Sequence, residues 1–134
     1  MKIYYAHHIW KYNTKIEEYE IELIKRYFPN KVILNPNGGL GYTENQFKLG
    51  LITESEILDI CMKAVKESNI LIFSSMNGVI GKGVWEEIKT AESNGIPIYY
   101  LHNNALLEYK NCKISLISES NRLYAIVEKT IERI

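Results

Sequence analysis

Cysteine is scarce in this chain: Cys61 and Cys112 are its two cysteines. Their spacing matches no metal-ligand pattern, and two thiols in 134 residues do not make a disulfide framework. Both are read as reduced, buried structural residues. An excess of either charge is also missing. Sixteen basic side chains balance sixteen acidic ones, and no basic block stands out. That argues against a nucleic-acid partner. A surface without net charge does not repel its own copies, which favours self-association. Long apolar runs are absent as well. No stretch approaches the roughly 20 residues that span a bilayer, and "MKIYYAHHIW" enters a strand pattern directly instead of resembling a signal peptide. No membrane partner and a cytoplasmic location are the resulting expectations. No His/Cys/Asp cluster has ligand spacing, so no metal and no cofactor are expected.

What is present suits one folded domain over 1–134, with 46% apolar and aromatic residues and 24% charged ones. Short apolar runs alternate with longer amphipathic ones. "KIYYA" (2–6), "KVILN" (31–35), "NILIFSS" (69–75), "IPIYYL" (96–101) and "CKISLI" (112–117) read as strands. Thr14 with Glu17 and Thr53 with Glu56 have capping-box spacing, and open helices over 15–28 and 54–68. On the first of these, Ile16, Tyr19, Leu23 and Phe28 can share a face. A third helix covers about 83–94, ended by Gly95, and "NRLYAIVEKTIERI" (121–134) reads as a closing helix. The segment 36–51 holds four glycines without a clean period. It reads as a loop, either a mobile lid or an oligomer contact.

Strands alternating with helices predict an α/β fold: a flavodoxin/Rossmann-like three-layer sandwich on a five-stranded parallel sheet of order 2-1-3-4-5. Such sheets bind ligands beyond the carboxyl ends of their strands, where the order reverses. That rule selects "AHHIWKYNT", the loop after the second strand, and "SSMNGVIGKGVWEE". On the helix that follows Gly83, the stripe Val84, Ile88 and Ala91 faces inward. Glu86 points to water, while Glu87 borders the buried face. Strand parity puts His7 on the side of Tyr5 and Ile3, and His8 on the other.

"SNILIFSSMNGVIGKGVWEEIKTAESNGIPIYYL" resembles the nucleoside 2-deoxyribosyltransferase superfamily. Gly83, Val84, Glu87, Ile88, Ala91, Gly95, Pro97 and Ile98 fall in register with its glycine-to-glutamate pattern, and "KIYYAHHIW" is similar to its opening strand. The resemblance covers residues 1–14 and 55–101. It implies a small-molecule nucleoside or nucleotide as partner, and Glu87 as the carboxylate that meets the anomeric carbon during N-glycosidic hydrolysis or deoxyribosyl transfer. His7, Tyr12, Ser74, Asn77, Gly81 and Gly83 would position sugar and phosphate. Asn121 would reach a neighbouring subunit's 5′ group, and the resemblance thereby implies a homodimer or a higher homo-oligomer. Gly81 stands where the transferases keep an acid, and Asn69 where aspartate is usual. Those two departures leave a second reading open, a non-catalytic binder of nucleotide-like or signalling ligands on the same fold.

Overall fold

The computed structural model describes residues 1–110 throughout and, as backbone, 111, 113–117 and 127–132. In chain order the elements are β1 (Lys2–Ala6), α1 (Lys15–Tyr27), β2 (Val32–Leu34), α2 (Glu44–Lys48), α3 (Glu54–Glu67), β3 (Ile70–Phe73), β4 (Val79–Ile80), α4 (Lys82–Ser93), β5 (Ile98–His102), β6 (Ala105–Glu108), β7 (Lys113–Ile117) and β8 (Val127–Glu132). Single 3-10 turns lie at Ile9–Lys11 and Tyr109–Asn111.

The main sheet has the order β2-β1-β3-β5-β6. Its first four strands are parallel, as the alternating pattern requires, with Tyr4 opposite Leu34 on one side and Leu71 on the other. The order reverses between β1 and β3, so the loops after those two strands flank the switch point. Alternation splits the core in two. Ile3, Tyr5, Ile70, Ile72 and Leu101 pack with Leu23 and Ile24 of α1. Tyr4, Ala6, Leu71, Phe73 and Tyr100 pack with α3 and α4. Tyr4, Tyr5 and Phe73 are the largest fully buried side chains, each stabilising the fold by roughly 1.5–3 kcal/mol through lost apolar exposure.

The fifth position of the sheet differs from the expected one. It is filled by β6, antiparallel to β5, and not by residues 112–117. Asn103 and Asn104 have φ of 50° and 63° and form the two-residue turn between paired His102 and Ala105. Both central residues of such a turn need positive φ, which asparagine tolerates. The chain therefore reverses at once and occupies the edge before residue 113 is reached. Asn103→Ala is expected to lower stability by about 1 kcal/mol in urea unfolding, with Asn103→Gly close to wild type.

β7 pairs instead with β4 in parallel and β8 in antiparallel fashion, making a second, three-stranded sheet. The closing helix expected over 121–134 is thus corrected for 127–132, which is strand. Residues 121–126 lie outside the described residues. "VEKTIE" is half β-branched, and pairing with β7 overrides its helical period.

Two smaller expectations also change. The buried face of α1 carries Glu17, Leu23 and Ile24, while Ile16 and Tyr19 are exposed. Within 36–51, Thr43 and Gln46 form a full capping box that starts the one-turn helix α2. The box at Thr53 and Glu56 is present as expected. At Thr14 half of it forms: Thr14 accepts from Glu17 N, but the Glu17 carboxylate turns elsewhere. No helix among the described residues is long and apolar enough to cross a membrane. Cys61 is a buried free thiol, and Cys112 lies outside the described residues.

Candidate functional site

Helix α4 starts at Gly81, whose extended backbone (φ −87°) turns the chain out of β4 without a side-chain cap. Val84, Ile88 and Ala91 then face the sheet, and the same stripe carries Glu87 inward, 6% exposed. Glu86 lies on the outer face and pairs with Lys89 at 2.9 Å. The first glutamate is a surface residue and the second is not.

The Glu87 carboxyl accepts a hydrogen bond from the Tyr4 phenol, on the middle of β1. The Glu87 charge acts electrostatically on two further phenols: Tyr12, from the loop after β1, and Tyr42, from the segment after β2. It acts in the same way on the Cys61 thiol of α3, which meets the Tyr42 hydroxyl at 3.4 Å. Burial among these weakly polar groups disfavours the carboxylate. It pushes the Glu87 pKa up to about 8, against the pull of the Tyr4 hydrogen bond. Burial likewise raises all three phenols and the thiol. At neutral pH Glu87 is therefore mainly a neutral acid that holds a proton.

A second polar cluster occupies the other face of the sheet, under α1. His7 stacks on Tyr5 with ring centroids 3.8 Å apart, on the side that strand parity expects. Its Nε2 meets Glu17 Oε2 at 2.6 Å, and its Nδ1 faces Tyr5 O at 3.2 Å. Burial lowers the imidazole pKa, and the hydrogen bonds to Glu17 and Tyr5 O oppose the fall. Both ring nitrogens face oxygen acceptors, so the neutral ring donates to one of them and the imidazolium to both. Burial acts to raise the Glu17 pKa, but donors from His7, Asn13 N–H and Asn37 outweigh it, so the carboxyl stays below its ordinary value. Deeper along α1, Glu20 accepts from the Tyr5 hydroxyl at 2.5 Å, Lys11 Nζ at 2.9 Å and Ser74 Oγ at 2.7 Å.

The structure brings some of the expected site residues together and not others. Glu87 and His7 sit on opposite faces of the sheet, and Tyr12 links them. Its ring lies 4.9 Å from that of His7, and its phenol is coupled to Glu87. Ser74 faces α1, with its hydroxyl held between Lys11 and Glu20. Asn77 (φ 53°) and Gly78 (φ 80°) make the turn that pairs Met76 with Val79, so the asparagine has a local conformational role. Gly83 lies exposed in the first turn of α4, where a Cβ would meet open space. Asn121 lies outside the described residues.

Sequence reasoning missed Tyr4, Tyr42, Lys11, Glu17 and Glu20 as members of these clusters. The signal for Glu17 and Glu20 was their spacing of seven and four residues from Ile24, which places them on the buried stripe. Tyr4 was legible as the residue of β1 with parity opposite to His7. Nothing local marks Tyr42. Among the described residues, no group of three or more His, Cys, Asp or Glu is placed to hold a metal ion.

No family model matches the chain, and no curated protein matches it. Among solved structures, a conserved protein from Enterococcus faecalis V583 is similar in fold, with a TM-score of 0.61 and 21% identity. The match covers 75% of this chain and 62% of that one, so the chain spans under two thirds of that protein's length. At this identity the likeness shows the fold: an α/β, Rossmann-like arrangement with a mostly parallel sheet.

Proposed function

We propose that the protein binds a nucleoside or nucleotide at the carboxyl ends of β1 and β3 and cleaves its N-glycosidic bond, by hydrolysis or deoxyribosyl transfer, with Glu87 at the anomeric carbon. The observation that supports this most is the burial of a carboxyl whose hydrogen-bond partner is a phenol and not a cation. Such a group costs stability and makes no ion pair. Its place in the first turns of the helix beyond the switch point fits a chemical role better than a packing role.

A protonated Glu87 also addresses what the missing acid at Gly81 leaves open. When the C1′–N bond breaks, its electron pair goes to the base nitrogen, which then needs a proton. Glu87 carries one. The carboxylate left behind faces the cationic ring carbon, either stabilising it or bonding to it. Water or an acceptor hydroxyl then adds at C1′ and returns a proton to Glu87. Tyr4 holds the carboxyl in place through both states.

The non-catalytic reading draws on one feature: Glu87 is buried, with the Tyr4 phenol as its hydrogen-bond partner. Incubation with a panel of nucleosides and nucleotides, with free base followed by chromatography, separates the two. Base release that falls by roughly 100-fold or more in Glu87→Gln and Glu87→Ala is the expected result. Binding without release would leave the sensor. Release unchanged in both variants would remove Glu87 from the chemistry.

A further inference from the structure

A cavity of about 310 Å³ lies between the loop after β1 and the segment that carries α2. Asn13, Asn37, Thr43, Glu44, Asn45 and Lys48 contribute to its walls. It is separate from Glu87. Asn13 and Thr43 face the cavity, while their chain neighbours Tyr12 and Tyr42 are the phenols coupled to that carboxyl.

The wall has a defined donor and acceptor pattern, set from behind by Glu17. A carboxylate accepts hydrogen bonds, so the amide end of Asn37 that meets it must be the NH₂. That nitrogen lies 3.0 Å from Glu17 Oε1, 3.2 Å from Oε2 and 3.1 Å from Asn13 Oδ1. The chain of contacts therefore fixes both carboxamides without ambiguity of flip. Asn37 keeps Oδ1 as an acceptor, and Asn13 keeps Nδ2 as a donor. A donor beside an acceptor matches a hydroxyl group, which accepts from one and donates to the other. Glu44 and Lys48 stand 3.6 Å apart and offset each other's charge, so the wall favours a neutral ligand over an ion. The volume is at the lower end for small-molecule sites.

The pattern is also held rigidly. Glu17 is buried, braced by His7 Nε2 at 2.6 Å and by the Asn13 N–H at 3.1 Å. Ordering of the carboxamides is thus completed on folding, and a ligand does not have to supply it.

We propose that this cavity is a binding site for a neutral sugar ring, recognised through hydroxyls set between Asn13 Nδ2 and Asn37 Oδ1. The site goes beyond the Glu87 reading and stands whether or not that residue is catalytic.

The test is calorimetry and ligand-observed NMR on the full chain with D-ribose and, in parallel, adenine. Asn13→Gly removes the donor while keeping the positive φ of 61° and the backbone N–H to Glu17. Asn45→Ala, on the exposed face of α2, gives a second variant that leaves the core untouched. Ribose is expected to bind wild type and the surface variant Glu22→Ala alike, and to bind about 5-fold more weakly to Asn13→Gly, as loss of one neutral hydrogen bond implies. Asn45→Ala is expected to weaken it in the same direction. No ribose binding to wild type at about 50 mM, a concentration that detects even very weak sites, would overturn the proposal. So would equal ribose affinity in the two variants and wild type, or binding of adenine in place of ribose. Base release from nucleosides is a separate readout, so failure here leaves the Glu87 question where its own assay puts it.

Discussion

Replacing Glu87 with glutamine should flatten the pH dependence of stability between pH 4.5 and about 8. The carboxyl titrates near its ordinary 4.5 in the unfolded chain and near 8 when folded. Between those values the folded protein holds a proton that the unfolded chain has released. The folded state then binds more protons, so stability falls as pH rises. Below 4.5 both states are protonated and nothing is lost. Above about 8 both are ionised and the penalty is constant. Each pH unit inside the window removes ~1.4 kcal/mol, and the full interval on the order of 4–5 kcal/mol. Glutamine cannot ionise but still accepts from Tyr4. Urea unfolding of both proteins at pH 5, 6, 7 and 8 should show the variant gaining on wild type at every step. Parallel curves would mean that Glu87 is solvated, and the proton it is proposed to donate would not be there.

Glu20→Ala should be among the most damaging single changes to the fold, costing roughly 3–5 kcal/mol as expected when one member of a buried ion pair is removed. Three groups depend on this carboxylate: the Lys11 ammonium, the Tyr5 hydroxyl and the Ser74 hydroxyl. Lys11 is itself buried, so its charge would lose its counter-ion in a place that water scarcely reaches. Glu20→Gln should lie between, since its amide oxygen can still accept from Tyr5 or Ser74. Glu22 supplies the control. It pairs with Lys25 at 3.5 Å with both side chains mostly exposed, and Glu22→Ala should cost at most ~0.5 kcal/mol. Urea midpoints at constant slope measure all three. A loss at Glu20 no larger than at Glu22 would show that the cluster is hydrated.

Much of the architecture was legible in the residues because it rests on local periodicity. Aromatic and β-branched runs placed β1, β2, β3 and β5. Threonine caps placed α1 and α3. The stripe of Val84, Ile88 and Ala91 placed Glu87 against the core. What failed had two different causes. The Asn103–Asn104 turn is a local signal, and the strand it folds back takes the sheet edge before residue 113 is reached. Residues 127–132 become strand through pairing with β7, which their own helical period does not show.

The candidate site divides in the same way. That Glu87 points inward follows from a period of 3.6 and the apolar neighbours on its face. That His7 lies with Tyr5 follows from a period of two. Neither rule says what these side chains meet. Only the tertiary structure put Tyr4 against Glu87, brought Tyr42 from a glycine-rich segment to Cys61, and drew Glu17 away from its cap to His7 and Asn37. The physical reason is range. Backbone periodicity acts between residues three or four apart, whereas a buried polar group takes its partner from whichever element the fold lays beside it.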